Sequence, residues 1–183
     1  MKRDFALLSP QEALLFAIVI EERNTQLYHR LGEMFSKFCP DAPPIASAFC
    51  DLENTERQHG ILLTSRYRER FGEVPASINE DDVRNLIEVP RLRVGDILDA
   101  AEAGDLSLAK RLAFEMALET ERNAVDYYVR LSEVTTDQEL KALYQELVRF
   151  EQEHTDWAEQ AIRQLGHPRA RSSYDYDQGL TGS

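Results

Sequence analysis

Glu56-Arg57-Gln58-His59 recurs downstream as Glu151-Gln152-Glu153-His154, and these two tetrapeptides decide how the chain is read. Residues i and i+3 share one face of a helix, so each copy offers a carboxylate and an imidazole to the same neighbour. The flanking turns show that this face is the apolar one. Phe49, Leu52, Leu63 and Tyr67 fall on it around the first copy, and Tyr144, Leu147, Ala158 and Ile162 around the second. Two further apolar stripes carry a single carboxylate each. Glu21 interrupts Leu14, Ile18, Tyr28, Leu31 and Phe35; Glu121 interrupts Phe114, Ala117, Leu118, Tyr128 and Leu131. Six ionisable groups on dry helix faces are very costly unless something neutralises them.

The four stripes are related in pairs. Ala17, Glu21, Tyr28, Arg30, Leu31 and Glu33 meet identical residues at Ala117, Glu121, Tyr128, Arg130, Leu131 and Glu133, an offset of 100. At an offset of 95, Glu56 and His59 meet Glu151 and His154. An internal repeat of this kind predicts two related helical hairpins placed about a pseudo-two-fold axis. Counted from the inter-helix turns near Asp41 and Thr135, the lone Glu and the Glu–His pair of each hairpin lie at matching depth, to within about one helical turn. All six groups can therefore share one layer.

Punctuation places the helices. Ser9, Pro10 and Glu12 read as an N-cap, a first-turn proline and a capping box, opening a helix that runs to about Phe38. The run Cys39-Pro40-Asp41-Ala42-Pro43-Pro44 stops it. A second helix runs from near Pro44 to Phe71 with Gly72 closing it, and a third from about Asp105 to Val134. Thr136, with Glu139 completing a capping box, is expected to open the fourth, which Gly166 closes ahead of Pro168. The connection from Gly72 to Gly104 is expected to hold short helices near Glu80–Ile87 and Gly95–Ala103. A link of that length can cross the length of a bundle. Residues 167–183 lack periodicity and read as a flexible C-terminal tail.

Four carboxylates and two imidazoles form the ligand set of a dinuclear metal site. Glu56 and Glu151 are the expected bridging ligands, holding two cations about 3.5–4 Å apart. Glu21 and Glu121 would each cap one metal, with His59 and His154 supplying one neutral nitrogen each. Four carboxylates balance two divalent ions, and mixed O/N ligation suits Fe(II) or Mn(II), while zinc would be redox-silent. Tyr28 and Tyr128, seven residues beyond the lone Glu residues, are candidate catalytic residues that would donate hydrogen bonds to carboxylates across the bundle; plain core packing is the competing reading. Glu22 and Glu119 lie off the stripes and are expected to face solvent, as is Glu53. Trp157 reads as packing, and His29 and His167 as bystanders.

Composition narrows the function classes. At 183 residues the chain suits one domain with a real core. A net charge of -12 argues against nucleic acid and anionic membrane surfaces as partners. No apolar run approaches the ~20 residues of a membrane span. The basic start lacks the apolar stretch of a secretory signal, and Cys39 and Cys50 form no CxxC pair, so a reducing cytoplasm is the expected compartment.

Taken together, Glu21, Glu56-x-x-His59, Glu121, Glu151-x-x-His154 and the two following tyrosines resemble the ferritin-like superfamily, and within it the rubrerythrin-like proteins, over residues 9–165. The resemblance implies an all-α fold: a ferritin-like four-helix bundle of two related hairpins joined by a long crossover, over residues 1–166. It implies two iron ions per chain that react with peroxide or dioxygen, in a homodimer or larger assembly. Two departures bear on mechanism. No CxxC supplies a rubredoxin module, so electrons would come from an external donor, and Ala124 stands where rubrerythrins carry an extra carboxylate. A ferroxidase that oxidises and hands on iron is the second expectation, and a metal-stabilised module without catalysis the third. The stretch from Asp177 to Ser183 is weakly similar to cargo-loading peptides of encapsulated ferritin-like proteins, against a plainer reading as a disordered end.

Overall fold

Ser9 opens the first helix with both halves of a capping box: its hydroxyl accepts from the Glu12 backbone N–H at 3.2 Å, and the Glu12 carboxylate accepts from the Ser9 backbone N–H at 2.9 Å. Two of the orphan donors at a helix start are thereby satisfied, with Pro10 supplying a first-turn position that needs no donor. The computed structural model describes residues 5–39, 43–75 and 93–166, and every regular element among them is helical. After a short 3-10 turn at Phe5–Leu7 come α1 (Pro10–Phe38), α2 (Pro43–Phe71), α3 (Val94–Glu102), α4 (Leu106–Val134) and α5 (Gln138–Gly166). The protein is all-α. The short helix expected at Glu80–Ile87 and the tail lie outside the described residues.

Boundaries follow local chemistry. Gly72 ends α2 at φ 85°, a left-handed conformation that a side chain would oppose, with its N–H on the Arg68 carbonyl. Asp105 caps α4 by accepting from Leu108 N at 2.9 Å. One cap differs from expectation. Asp137, not Thr136, opens α5, its carboxylate accepting from Glu139 N at 3.0 Å and Leu140 N at 3.1 Å. A carboxylate also complements the helix dipole, and Arg70 at the end of α2 binds this one, tying the two helices together.

The long helices pair as α1 with α2 and α4 with α5. Contacts run antiparallel within each pair: His29 meets Glu53 and Gln11 meets Tyr67, while Phe114 meets Trp157 and Tyr128 meets Tyr144. The pairs face each other antiparallel too, with α1 against α4 (Tyr127 to the Ala13 carbonyl) and α2 against α5 (Phe49 to Trp157, Arg70 to Asp137). Two apolar clusters result. One gathers Leu14, Ile18, Leu63, Tyr67, Tyr128, Tyr144 and Leu147; the other gathers Leu31, Phe35, Phe49, Leu52, Phe114, Ala117 and Ala158. On each long helix the expected ligand positions fall between the residues of one cluster and those of the other. Leu118 and Ile162, expected on the buried stripes, are only partly buried. Among the described residues no helix is long and apolar enough to cross a membrane.

Candidate metal centre

Glu21, Glu56, Glu121 and Glu151 are each fully buried, and His59 keeps 5% exposure. They gather into two overlapping groups, Glu21–Glu56–His59–Glu151 and Glu56–Glu121–Glu151–His154, the ligand atoms of each lying within 4.8 Å of one another. Glu56 and Glu151 belong to both groups; each lone Glu belongs to one, beside the histidine of its own hairpin. The repeat seen in the sequence is thus a geometric repeat as well.

The contacts inside the layer are unusual. His59 Nδ1 lies 3.1 Å from Glu151 Oε1 and 3.7 Å from Glu21 Oε2; His154 Nδ1 lies 2.9 Å from Glu56 Oε1, 3.4 Å from Glu151 Oε2 and 3.6 Å from Glu121 Oε2. Yet these atoms lack hydrogen-bond geometry. Both oxygens of Glu56 and of Glu151, Oε2 of Glu21 and of Glu121, and both Nδ1 atoms are buried without a hydrogen-bond partner. Buried polar atoms are rarely left so, because each costs about 1–3 kcal/mol. Close approach without shared hydrogens is what the edges of a coordination polyhedron look like. Ligands about 2.1 Å from a divalent ion sit about 3.0 Å apart at octahedral angles and about 3.4 Å apart at tetrahedral ones. The donor set therefore fits divalent cations in both groups.

The remaining oxygens are tied down from across the helix pairs. Tyr28 donates to Glu121 Oε1 and Tyr128 donates to Glu21 Oε1, so each tyrosine holds the lone carboxylate of the opposite hairpin. Burial, reinforced by neighbouring carboxylates, holds both phenols well above their usual range, so both stay protonated donors. His59 stacks on Phe150 at 5.2 Å and on His154 at 5.9 Å, which restricts its ring orientation.

Without cations, the layer keeps protons instead. Burial and then the facing Glu151 and Glu121 push Glu56 well up, and burial carries Glu121 to about 8. Burial opposes charge on the imidazoles, but the carboxylates around them win: Glu151 and Glu21 bring His59 to about 9, and Glu121, Glu151 and Glu56 bring His154 to about 12. Burial would also raise Glu151, but the two imidazoles bring it down to about 2.

The other expected residues fall elsewhere. Glu22 is exposed and Glu119 half-buried. Glu53 was expected in solvent, but its side chain is only 13% exposed because Arg57 and His29 hold it, away from the layer. Trp157 packs on Phe49 and Phe114. Cys39 and Cys50 are both free thiols. His167 lies outside the described residues. Three polar residues near the layer escaped the sequence reading: Asn24, Thr120 and Thr155 are buried, each with an unpartnered side-chain atom. Their adjacency to Glu21, Glu121 and His154 was the only available signal, since small polar residues are ordinary helix-surface residues. Comparison of the chain with protein-family models, with curated proteins and with solved structures finds no match.

Proposed function

We propose that this protein is a ferritin-like four-helix bundle with a dinuclear iron centre, and that it reduces hydrogen peroxide or dioxygen. One observation carries the reading: eight buried, unpartnered ligand atoms on six side chains, in two groups that share Glu56 and Glu151. Among the described residues no donor meets these eight atoms in hydrogen-bond geometry, and two divalent ions balance four carboxylates. The oxygen-rich, thiolate-free set favours Fe(II) or Mn(II), with zinc as a redox-silent substitute.

Glu21 with His59, and Glu121 with His154, would each hold one ion, with Glu56 and Glu151 between them. When bound, an iron pair supplies two electrons, the number that reduces one peroxide to two waters with two protons. Tyr28 and Tyr128 fix the orientation of Glu121 and Glu21, so the carboxylates need not reorganise. Apolar clusters above and below exclude bulk water. The tyrosine hydroxyls are the nearest protonated groups on the lone carboxylates. An external donor must return the electrons.

Anaerobic Fe(II) loading with metal counting tests the centre, and stopped-flow mixing with peroxide or with oxygen then tests the reaction. Two ions per chain and oxidation sustained by an added reductant are expected. Iron uptake well beyond two per chain would favour iron handling instead, and an inert loaded protein would leave only a metal-stabilised module.

A further inference from the structure

The two hairpins match at the metal layer but differ on their outer seams. Between α1 and α2 runs an open groove of about 670 Å³ whose wall includes Glu22, Thr25, Thr64 and Gly60, with fully buried Glu56 behind them; Arg57 and Arg68 also line it, their charges met by Glu53 and Glu73. Gly60 stands where α2 touches α1 beside the layer. A Cβ placed on it would touch the Glu21 Cβ at 3.6 Å, an ordinary contact, and meet nothing else within 4 Å outside its own helix backbone, so a side chain there could be accommodated and would take up room beside the groove.

The repeat supplies an internal control. Carried across at the same offsets, Gly60 becomes Thr155, Glu22 becomes Arg122 and Thr64 becomes Glu159. Thr155 is buried in its seam, and Arg122 bonds Glu159 at 2.8 Å from α4 to α5. At these positions the α4–α5 seam carries a side chain and an ion pair, whereas the α1–α2 seam carries neither, its pair of His29 with Glu53 lying further along it. Glycine in a helix interior costs stability, so an open seam is not what packing alone selects. The groove leads to Glu56, a residue of both ligand groups whose oxygens have no partner.

We propose that divalent cations enter the centre through the α1–α2 groove, which Gly60 holds open and whose rim carboxylate Glu22 and hydroxyls of Thr25 and Thr64 offer the oxygens that hard cations prefer. The inference rests on the six side chains binding metal. Two variants close the seam in different ways: Gly60→Leu fills it, and Glu22→Arg with Thr64→Glu copies the clasp of the other hairpin without altering a ligand. Co(II) binding to the full chain, followed anaerobically by stopped-flow absorption, reads the association rate, and metal analysis reads the final occupancy. Both variants are expected to load about tenfold or more slowly, in line with the leverage that access and rim charge have on association, while still reaching two ions per chain. Unchanged rates at full occupancy in the double variant overturn the route and leave the centre standing, whatever Gly60→Leu does to folding. An unaltered chain that takes up no Co(II) overturns the centre, and the route with it.

Discussion

Raising the pH should destabilise the metal-free protein and strengthen its hold on metal, two opposite slopes from one layer of side chains. His59 titrates near 9 in the fold against about 6.5 when unfolded, so its proton favours the folded state below pH 6.5 and that contribution is lost as pH rises through 9. The gap corresponds to about 3 kcal/mol, at about 1.36 kcal/mol for each tenfold change. Glu121, raised to about 8, acts in the same direction, since its fold favours the protonated carboxyl from pH 4.5 upward until it ionises. For a domain of this size about 1 kcal/mol moves the melting midpoint by roughly 2–4 °C, so His59 alone should lower the metal-free midpoint by on the order of 6–12 °C between pH 6.5 and 9. Cations compete with those protons, so the gap between loaded and metal-free midpoints should widen from pH 6.5 to 8. Thermal melts of chelator-treated protein, with and without Mn(II), measure both slopes. His59→Gln should make the metal-free slope shallower by about the His59 share, with Glu121 and His154 supplying the rest, which separates this titration from the general self-repulsion of an acidic chain. A metal-free midpoint that stays level or climbs across the window would refute the assignment of protons to this layer.

Loading metal at pH 7 should release at least two protons per chain, one from each imidazole, measurable with an indicator in weak buffer; release of none would mean the rings are already neutral. Glu56→Ala or Glu151→Ala should abolish two-metal occupancy, because each belongs to both groups, whereas Glu21→Ala should spare the ion beside Glu121 and His154; metal counting after desalting decides. Tyr128→Phe strips Glu21 Oε1 of its donor and should cost the metal-free protein about 1–3 kcal/mol in urea unfolding. Asp137→Ala removes the α5 cap and should cost about 0.5–2 kcal/mol, with Thr136→Ala near neutral; the reverse order would restore the sequence-based cap.

The sequence by itself determined the helices and the candidate ligand set. Apolar periodicity is local, and a carboxylate that breaks it at Glu21, Glu56, Glu121 or Glu151 is visible without knowing any partner. The repeat then showed that the breaks belong together. What periodicity could not say is which atoms meet, because it names the face of a helix and not what lies opposite. Only the tertiary structure decided that Tyr28 serves Glu121 and Tyr128 serves Glu21, a crossing set by the antiparallel approach of α1 and α4. Asp137 caps α5 through local bonds, but that Arg70 reaches the same carboxylate from another helix is visible only in the tertiary structure. The difference between an open seam at Gly60 and a clasped one at Arg122 and Glu159 likewise depends on distances between helices, which no single helix encodes.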